Sequence, residues 1–186
     1  MAIQKTDRKQ ILDAALHLFR TQGYHNTSVA DISASCGLLK GSLYHYFPSK
    51  QGLAEAALEK YIAESWDRIF WIAYQDNTSP QERLRQFCNA VSDYFGSRRG
   101  GCLMANMALE IGDGTAEFGE LIRRYFKDWT EAVTAILNDR YTEADATLIA
   151  AKSLARIQGA LVLRQIDHEH AHFNGAVAEL GELLAA

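Results

Sequence analysis

Lys40, Ser42, Tyr44, His45 and Tyr46 bring an ammonium, a serine hydroxyl, two phenols and an imidazole into a short stretch of chain. Such groups hydrogen-bond phosphate oxygens or reach the edges of bases, and the ammonium adds positive charge toward a polyanion. Gly41 sits among them and has no side chain, so a helix carrying this set could come close to its ligand. The positioning residues flank the set. Leu43 and Phe47 are four apart and stack on the other side of the same helix. Upstream, Ser28 and Asp31 form a Ser-x-x-Asp cap for an earlier short helix. Its Val29, Ile32 and Cys36 recur at spacings of three and four and share one face. Gly37 follows the last periodic residue, where glycine takes a left-handed turn at least cost. Two short helices across a tight glycine-containing turn make a helix-turn-helix, whose second helix can enter a DNA major groove.

Other residues invite a chemical reading. Cys102 opens a predicted helix and is separated from Arg98-Arg99 by two glycines. Helix N-terminus and arginines both favour thiolate. A cysteine packed as a small apolar residue is the competing expectation. Asn106 and Glu110 are four apart in an otherwise apolar helix, where they could bond an effector, cap a neighbouring helix or face solvent. Trp66, Phe70, Phe87, Met107 and Trp129 are of the types that line apolar ligand cavities, and equally of the types that fill cores. Asp167 to His172 contains three histidines, two of them four apart, but the run falls at a predicted loop with no further ligands nearby. It is read as a solvated turn, and no metal site is assigned. The sequence shows no glycine-rich phosphate loop and no nucleophile motif, so no cofactor and no enzymatic activity is expected. An all-helical enzyme and a protein-interaction module remain the rival classes.

The chain has 186 residues, 48 % of them hydrophobic, which suits a folded protein. No apolar run approaches a membrane span in length, and the first residues lack the apolar core of a secretion signal, so a cytoplasmic protein without membrane partners is expected. Cys36, Cys88 and Cys102 are odd in number and show no metal-like spacing. Charge is uneven: residues 1–50 carry six Lys/Arg against three Asp/Glu, and residues 51–186 carry thirteen against twenty. A basic head on an acidic body fits nucleic-acid contact at one end.

Helical periodicity runs through the whole chain. Thr6 can cap a first helix that runs to about Gln22, with Ile11, Leu12, Ala15, Leu16 and Phe19 as its apolar stripe, and Gly23 ends it. After the helix-turn-helix, one long helix is predicted from Ser49 to Tyr74. Ser79-Pro80-Gln81-Glu82 starts another, to about Ser97. Gly96 to Gly101 breaks the pattern, and Gly112-Asp113-Gly114 breaks it again. Cys102–Ile111, Thr115–Arg140, a helix capped by Thr142 and Asp145 that runs to Ile166, and Asn174–Leu184 complete the set. No segment alternates with a period of two. The expectation is an all-α chain of about nine helices, with a helix-turn-helix domain over residues 1–48 and a larger helical body over residues 49–186.

As a set, Ile11-Leu12-Asp13-Ala14-Ala15, Phe19, Gly23-Tyr24, Thr27 to Ile32, Cys36-Gly37, Lys40 to Phe47, Ser49-Lys50 and Leu53 resemble the DNA-binding domain of the tetracycline-repressor (TetR/AcrR) family of transcriptional regulators. The remaining 130 or so residues are similar only in length, helix content and rhythm. The resemblance implies a homodimer that reads a roughly palindromic operator in double-stranded DNA, and a body that binds a small-molecule effector, commonly releasing a repressor. Carried over by position, Thr27 and Ser28 would meet phosphates, Lys40, Gly41, Ser42, Tyr44 and His45 would lie on the recognition helix, and Tyr46 and Lys50 against the DNA backbone. A Gly-Cys-Leu start like that at Cys102 occurs in family members that sense oxidants or electrophiles. Leu39 stands where relatives often have Ser or Thr able to cap the recognition helix, so Leu38-Leu39 either packs or meets a thymine methyl. Small residues along the last two long helices, among them Ala150, Ala155, Gly159, Gly175 and Ala178, would let two chains meet in a four-helix interface or allow packing within one chain.

Overall fold

The computed structural model describes residues 7–96, 100–111 and 116–185, all of whose regular structure is helical. By packing, the chain divides into two units: the residues up to Ala63 with Leu103–Ile122, and Glu64–Cys102 with Arg123–Ala186. The first unit therefore contains the helix-turn-helix, the beginning of the long fourth helix and the sixth helix.

In the first unit, α1 (Arg8–Gln22) starts at Asp7, which accepts from the Gln10 N–H at 2.8 Å while the Gln10 side chain accepts from the Asp7 N–H. The expected cap Thr6 lies outside the described residues; the cap is its neighbour, equally suited by type. Ile11, Leu12, Ala15, Leu16 and Phe19 are buried as one stripe. Gly23 ends the helix at a φ of 87°, and its N–H donates to the Phe19 carbonyl. α2 (Val29–Ser35) has the expected reciprocal box: Ser28 Oγ accepts from the Asp31 N–H, and the Asp31 carboxylate accepts from the Ser28 N–H at 2.8 Å. Gly37 follows with a φ of 67°, and the Leu38 N–H reaches back to the Ser33 carbonyl at 2.8 Å, a left-handed helix exit. α3 (Lys40–Tyr46) buries Leu43, and Phe47 follows it into the core. α4 (Lys50–Arg68) begins with Ser49 Oγ accepting from the Gly52 N–H, and Lys60 pairs with Asp13 of α1 at 2.6 Å.

The predicted single helix Ser49–Tyr74 is interrupted. The α-helix ends at Arg68, Ile69 leaves helical geometry, and Phe70–Tyr74 is a 3-10 segment. The tighter winding puts Phe70 and Ala73, three apart, on one buried side. The Arg83 guanidinium donates to the Ala73 carbonyl at 2.7 Å, satisfying an acceptor that the break leaves open.

In the second unit, α5 (Pro80–Gly96) is capped by Ser79, and its predicted end at Ser97 lies outside the described residues. α7 (Ala116–Leu137) stops before the predicted Arg140; its predicted start Thr115 and the Gly112–Gly114 break before it also lie outside them. α6 (Leu103–Ile111), between these two, belongs to the first unit. α8 (Glu143–Asp167) has its Thr142 cap as expected and ends at His168 in a left-handed conformation. α9 (Ala171–Glu182) begins three residues ahead of the expected Asn174, so His172 lies in a helical turn and not in the predicted loop. Among the described residues no group of His, Cys, Asp and Glu could hold a metal ion.

The core of the second unit is aromatic. Trp129 is fully buried, stacks on Phe95 with ring centroids 5.8 Å apart, and meets Phe70, Phe87 and Tyr125 at inclined angles. Arg164 is also buried: its guanidinium lies over the Phe173 ring and donates to the Phe95 carbonyl at 2.9 Å. α8 is long and apolar enough on average to cross a membrane, although no uninterrupted apolar run in it reaches that length. Lys152 and Arg156 interrupt the run in sequence, while alanines and leucines keep the average high.

Candidate DNA interface and effector-binding body

α3 is held by its inner face. Leu43 and Phe47 are almost wholly buried, while Lys40, Gly41, Tyr44, His45 and Tyr46 are exposed and Ser42 is half-buried. The hydrogen-bonding groups predicted to face DNA thus share the outward side of a helix whose register is fixed by core residues. Leu39 is the N-cap, in extended geometry, and no side chain caps the helix start. It does not pack: Leu39 is 81 % exposed, while Leu38 is half-buried.

Ser28 is exposed at the start of α2, and its hydroxyl donates to Asp31. These contacts hold the Asp31 carboxyl below its ordinary pKa, the side-chain hydrogen bond from Ser28 being the largest cause. A carboxyl with a lowered folded-state pKa contributes stability that is complete above the unfolded value, about 3.9, and is lost as pH falls through the folded one. Acid titration of the head is therefore expected to loosen α2 only below about pH 4; amide exchange of residues 29–32 measures it, and Asp31→Asn should remove the pH step.

Two residues expected at phosphates have partners within the chain. Thr27 is fully buried, and its hydroxyl donates to the Gly23 carbonyl at 2.7 Å. It closes the loop before α2 and is not presented to a ligand. Lys50 places its ammonium 4.2 Å above the Tyr24 ring and donates to the His25 carbonyl at 3.4 Å. Burial lowers its pKa, opposed by the nearby Glu110 carboxylate. Lys50 thus positions the loop between α1 and α2.

Glu110, one of the expected effector ligands, also turns to this loop. Its carboxylate accepts from the His25 N–H at 3.0 Å, and its carbonyl lies 3.2 Å from the His25 ring. The φ of 87° at Gly23 favours glycine here, and a Cβ would also push the Glu110 carboxylate away from its place. Sequence gave no signal for this clamp, whose partners are 85 residues apart.

The other expected effector residues are distributed. Phe70, Phe87 and Trp129 meet in the second unit's core. Trp66 packs beside them, with its indole N–H donating to Asp128 at 3.0 Å and its ring stacked on Tyr74. Cys102 is buried in the same unit; Arg98 and Arg99 lie outside the described residues. Asn106 and Met107 belong to the first unit, Met107 buried and Asn106 half-buried. None of the three cysteines is in a disulfide, and burial pushes the Cys88 thiol up to about 12.

One buried donor in the aromatic core was not singled out by sequence: the Trp129 indole N–H has no hydrogen-bond partner, nor has either end of the Gln158 amide on α8. Buried polar groups are normally paired, and these atoms are exceptions.

The family model of bacterial regulatory proteins of the tetR family matches residues 11–57. That of the LmrA/YxaF-like transcriptional regulator C-terminal domain matches residues 80–179. An uncharacterized HTH-type transcriptional regulator of Bacillus subtilis, YxaF, is 27 % identical over 169 residues, 88 % of this chain and 87 % of that protein. The HTH-type transcriptional repressor DhaR of Mycobacterium is 23 % identical over 124 residues, 67 % of this chain and 62 % of that one. A TetR transcriptional regulator from Legionella pneumophila has the same fold, with a TM-score of 0.86 at 20 % identity over 98 % of both chains. With a helix-turn-helix whose inner face is core and whose outer face is polar, and with matches to both family models, the chain belongs to the TetR family of transcriptional regulators.

Proposed function

We propose that the protein is a ligand-responsive repressor that binds a palindromic operator as a homodimer in the cytoplasm and is released by a small-molecule effector. The observation that carries the DNA reading is the split of α3 into a buried Leu43–Phe47 side and an exposed side bearing Lys40, Gly41, Tyr44, His45 and Tyr46. Residues 1–48 supply the DNA contacts in this reading, with Ser28, Lys40, Ser42 and Tyr44 at phosphates or bases, and residues 49–186 supply effector binding and dimerisation. Thr27 and Lys50 hold the α1–α2 loop in place instead of touching DNA.

Dimerisation is supported by α8 and α9. Leu148, Val162, Leu163 and Ile166 of α8 are exposed, and Gly159, Ala160, Gly175 and Ala176 line a shallow groove of about 380 Å³ between the two helices. Two copies packed through these helices would cover the apolar face.

The effector reading rests on Trp129. Its unpaired N–H inside rings of Phe70, Phe87 and Phe95 favours a flat apolar effector that carries a hydrogen-bond acceptor. Effector binding must favour the DNA-free arrangement to act, since a ligand of equal affinity for both states shifts nothing. A mobility shift with the gene's own upstream DNA, repeated with a panel of aromatic carbonyl compounds, tests the whole reading. The expected result is a dimer-sized shift relieved by at least one compound that also quenches tryptophan fluorescence. A monomer at micromolar concentration would contradict the dimer, and a shift no compound relieves would contradict the effector class.

A further inference from the structure

We infer that Leu39 is a specificity-determining residue that reads a thymine methyl group in each operator half-site. The inference rests on the DNA-binding reading above and extends it to a particular base. Leu39 stands immediately before Lys40, at the entrance to the outward face of α3, and is 81 % exposed. It is not a loose side chain on a loose loop. Its carbonyl accepts from the Ser42 N–H at 2.9 Å and the Leu43 N–H at 3.3 Å, and the preceding turn is closed by the Leu38 N–H on Ser33. Its backbone is extended, so the side chain leaves the helix axis ahead of the first turn. The two leucines of the turn are thereby divided: Leu38 is half-buried and Leu39 faces out.

For folding alone, leucine is a poor choice here. It leaves an isobutyl group in water, and it forgoes the side-chain acceptor that Ser, Thr, Asn or Asp would offer the free N–H groups of the helix start. Other helix starts of this unit are capped by the side chains of Asp7, Ser28 and Ser49. Departures from local rules concentrate where a surface has a task other than folding. The neighbours of Leu39 on that surface, Lys40, Gly41 and Tyr44, are exposed, and the one small glycine permits close approach. In the major groove the apolar feature that distinguishes bases is the C5 methyl of thymine, and an aliphatic side chain is its natural contact. Lys40, Tyr44 and Tyr46 end in polar groups, whereas Leu39 is wholly aliphatic and offers the thymine methyl an apolar partner without burying a polar tip.

The test uses the full-length protein and a pool of duplexes with a randomised centre, from which bound sequences are selected at low salt. Each thymine of the recovered consensus is then replaced by deoxyuridine, which removes the methyl and leaves every hydrogen-bonding edge unchanged. For the natural protein, replacement at one position per half-site is expected to weaken binding about fourfold, the value of one buried methyl-sized group. Leu39→Met should keep that methyl effect. Leu39→Ser should lose it, while melting at the same or a higher temperature because serine can cap α3. A stability gain together with a lost methyl effect is something a merely structural leucine would not produce. Uniform indifference of the natural protein to deoxyuridine, a consensus without thymine, or the same position-by-position pattern for Leu39→Ser would overturn the inference while leaving DNA binding intact. Enrichment of no duplex at all would overturn the DNA-binding reading itself, and this inference with it.

Discussion

Lys40→Glu is expected to lower affinity for the operator about a hundredfold at moderate salt, or about 1.4 kcal/mol per half-site in a dimer. Its folding stability should not fall. Lys40 is exposed in the first turn of α3, where a cation opposes the helix dipole and an anion favours it. Charge reversal there should leave the melting temperature unchanged or raise it slightly. Binding and stability thus move in opposite directions, which separates a lost phosphate contact from a damaged fold. The salt dependence of binding should also flatten, with the log-log slope falling by roughly one for each Lys40 removed from a phosphate. Anisotropy titrations at several salt concentrations, alongside thermal melts, measure all three quantities.

Trp129→Ala is the substitution expected to cost most in stability, about 3–5 kcal/mol, enough to unfold much of the body at physiological temperature. Trp129 is fully buried and its ring meets Phe70, Phe87, Phe95 and Tyr125, so truncation empties the centre of one aromatic cluster. Trp129→Phe gives a sharper result. It keeps a ring in place and deletes an indole N–H that has no partner, and removing an unsatisfied donor recovers part of what the smaller ring loses. The net cost is expected to be under about 1.5 kcal/mol. Effector affinity should nevertheless fall about tenfold, as expected for one lost hydrogen bond in a water-poor site. Denaturant melts and ligand titrations of the two variants distinguish these outcomes. Equal effector affinity in Trp129→Phe would remove the indole from the site.

Much of the head was legible because its determinants are local. The Ser28–Asp31 box, the left-handed Gly37 and the Leu43–Phe47 pair each involve residues three or four apart, or a single backbone conformation, so spacing alone identifies them. Other expected site residues have partners within the chain, one nearby in sequence and the rest distant. Thr27 and Lys50 have the right types to meet phosphate, but Gly23, Tyr24 and His25 already occupy them. Glu110 looked like a polar group on an apolar helix, and its carboxylate is taken by the His25 amide. The 3-10 segment Phe70–Tyr74 continues an apolar pattern in sequence, and its altered winding is matched by a guanidinium from α5. Asp7 in place of Thr6 is a choice between two adjacent cap formers that type cannot rank. In the body, sequence identified the aromatic residues but not which of their polar atoms stay unpaired, since that depends on how the helices meet.

The central claim, that α3 presents the chain to operator DNA, is tested most directly by titrating the full-length protein against a duplex of its own upstream region at low salt, with a scrambled duplex of equal composition beside it. The account predicts saturation with an even number of protomers per duplex, preference for the natural sequence by at least about a thousandfold, and loss of that preference in Tyr44→Ala and Lys40→Glu proteins that melt normally. Equal affinity for both duplexes, or no binding to either at low salt, would contradict it.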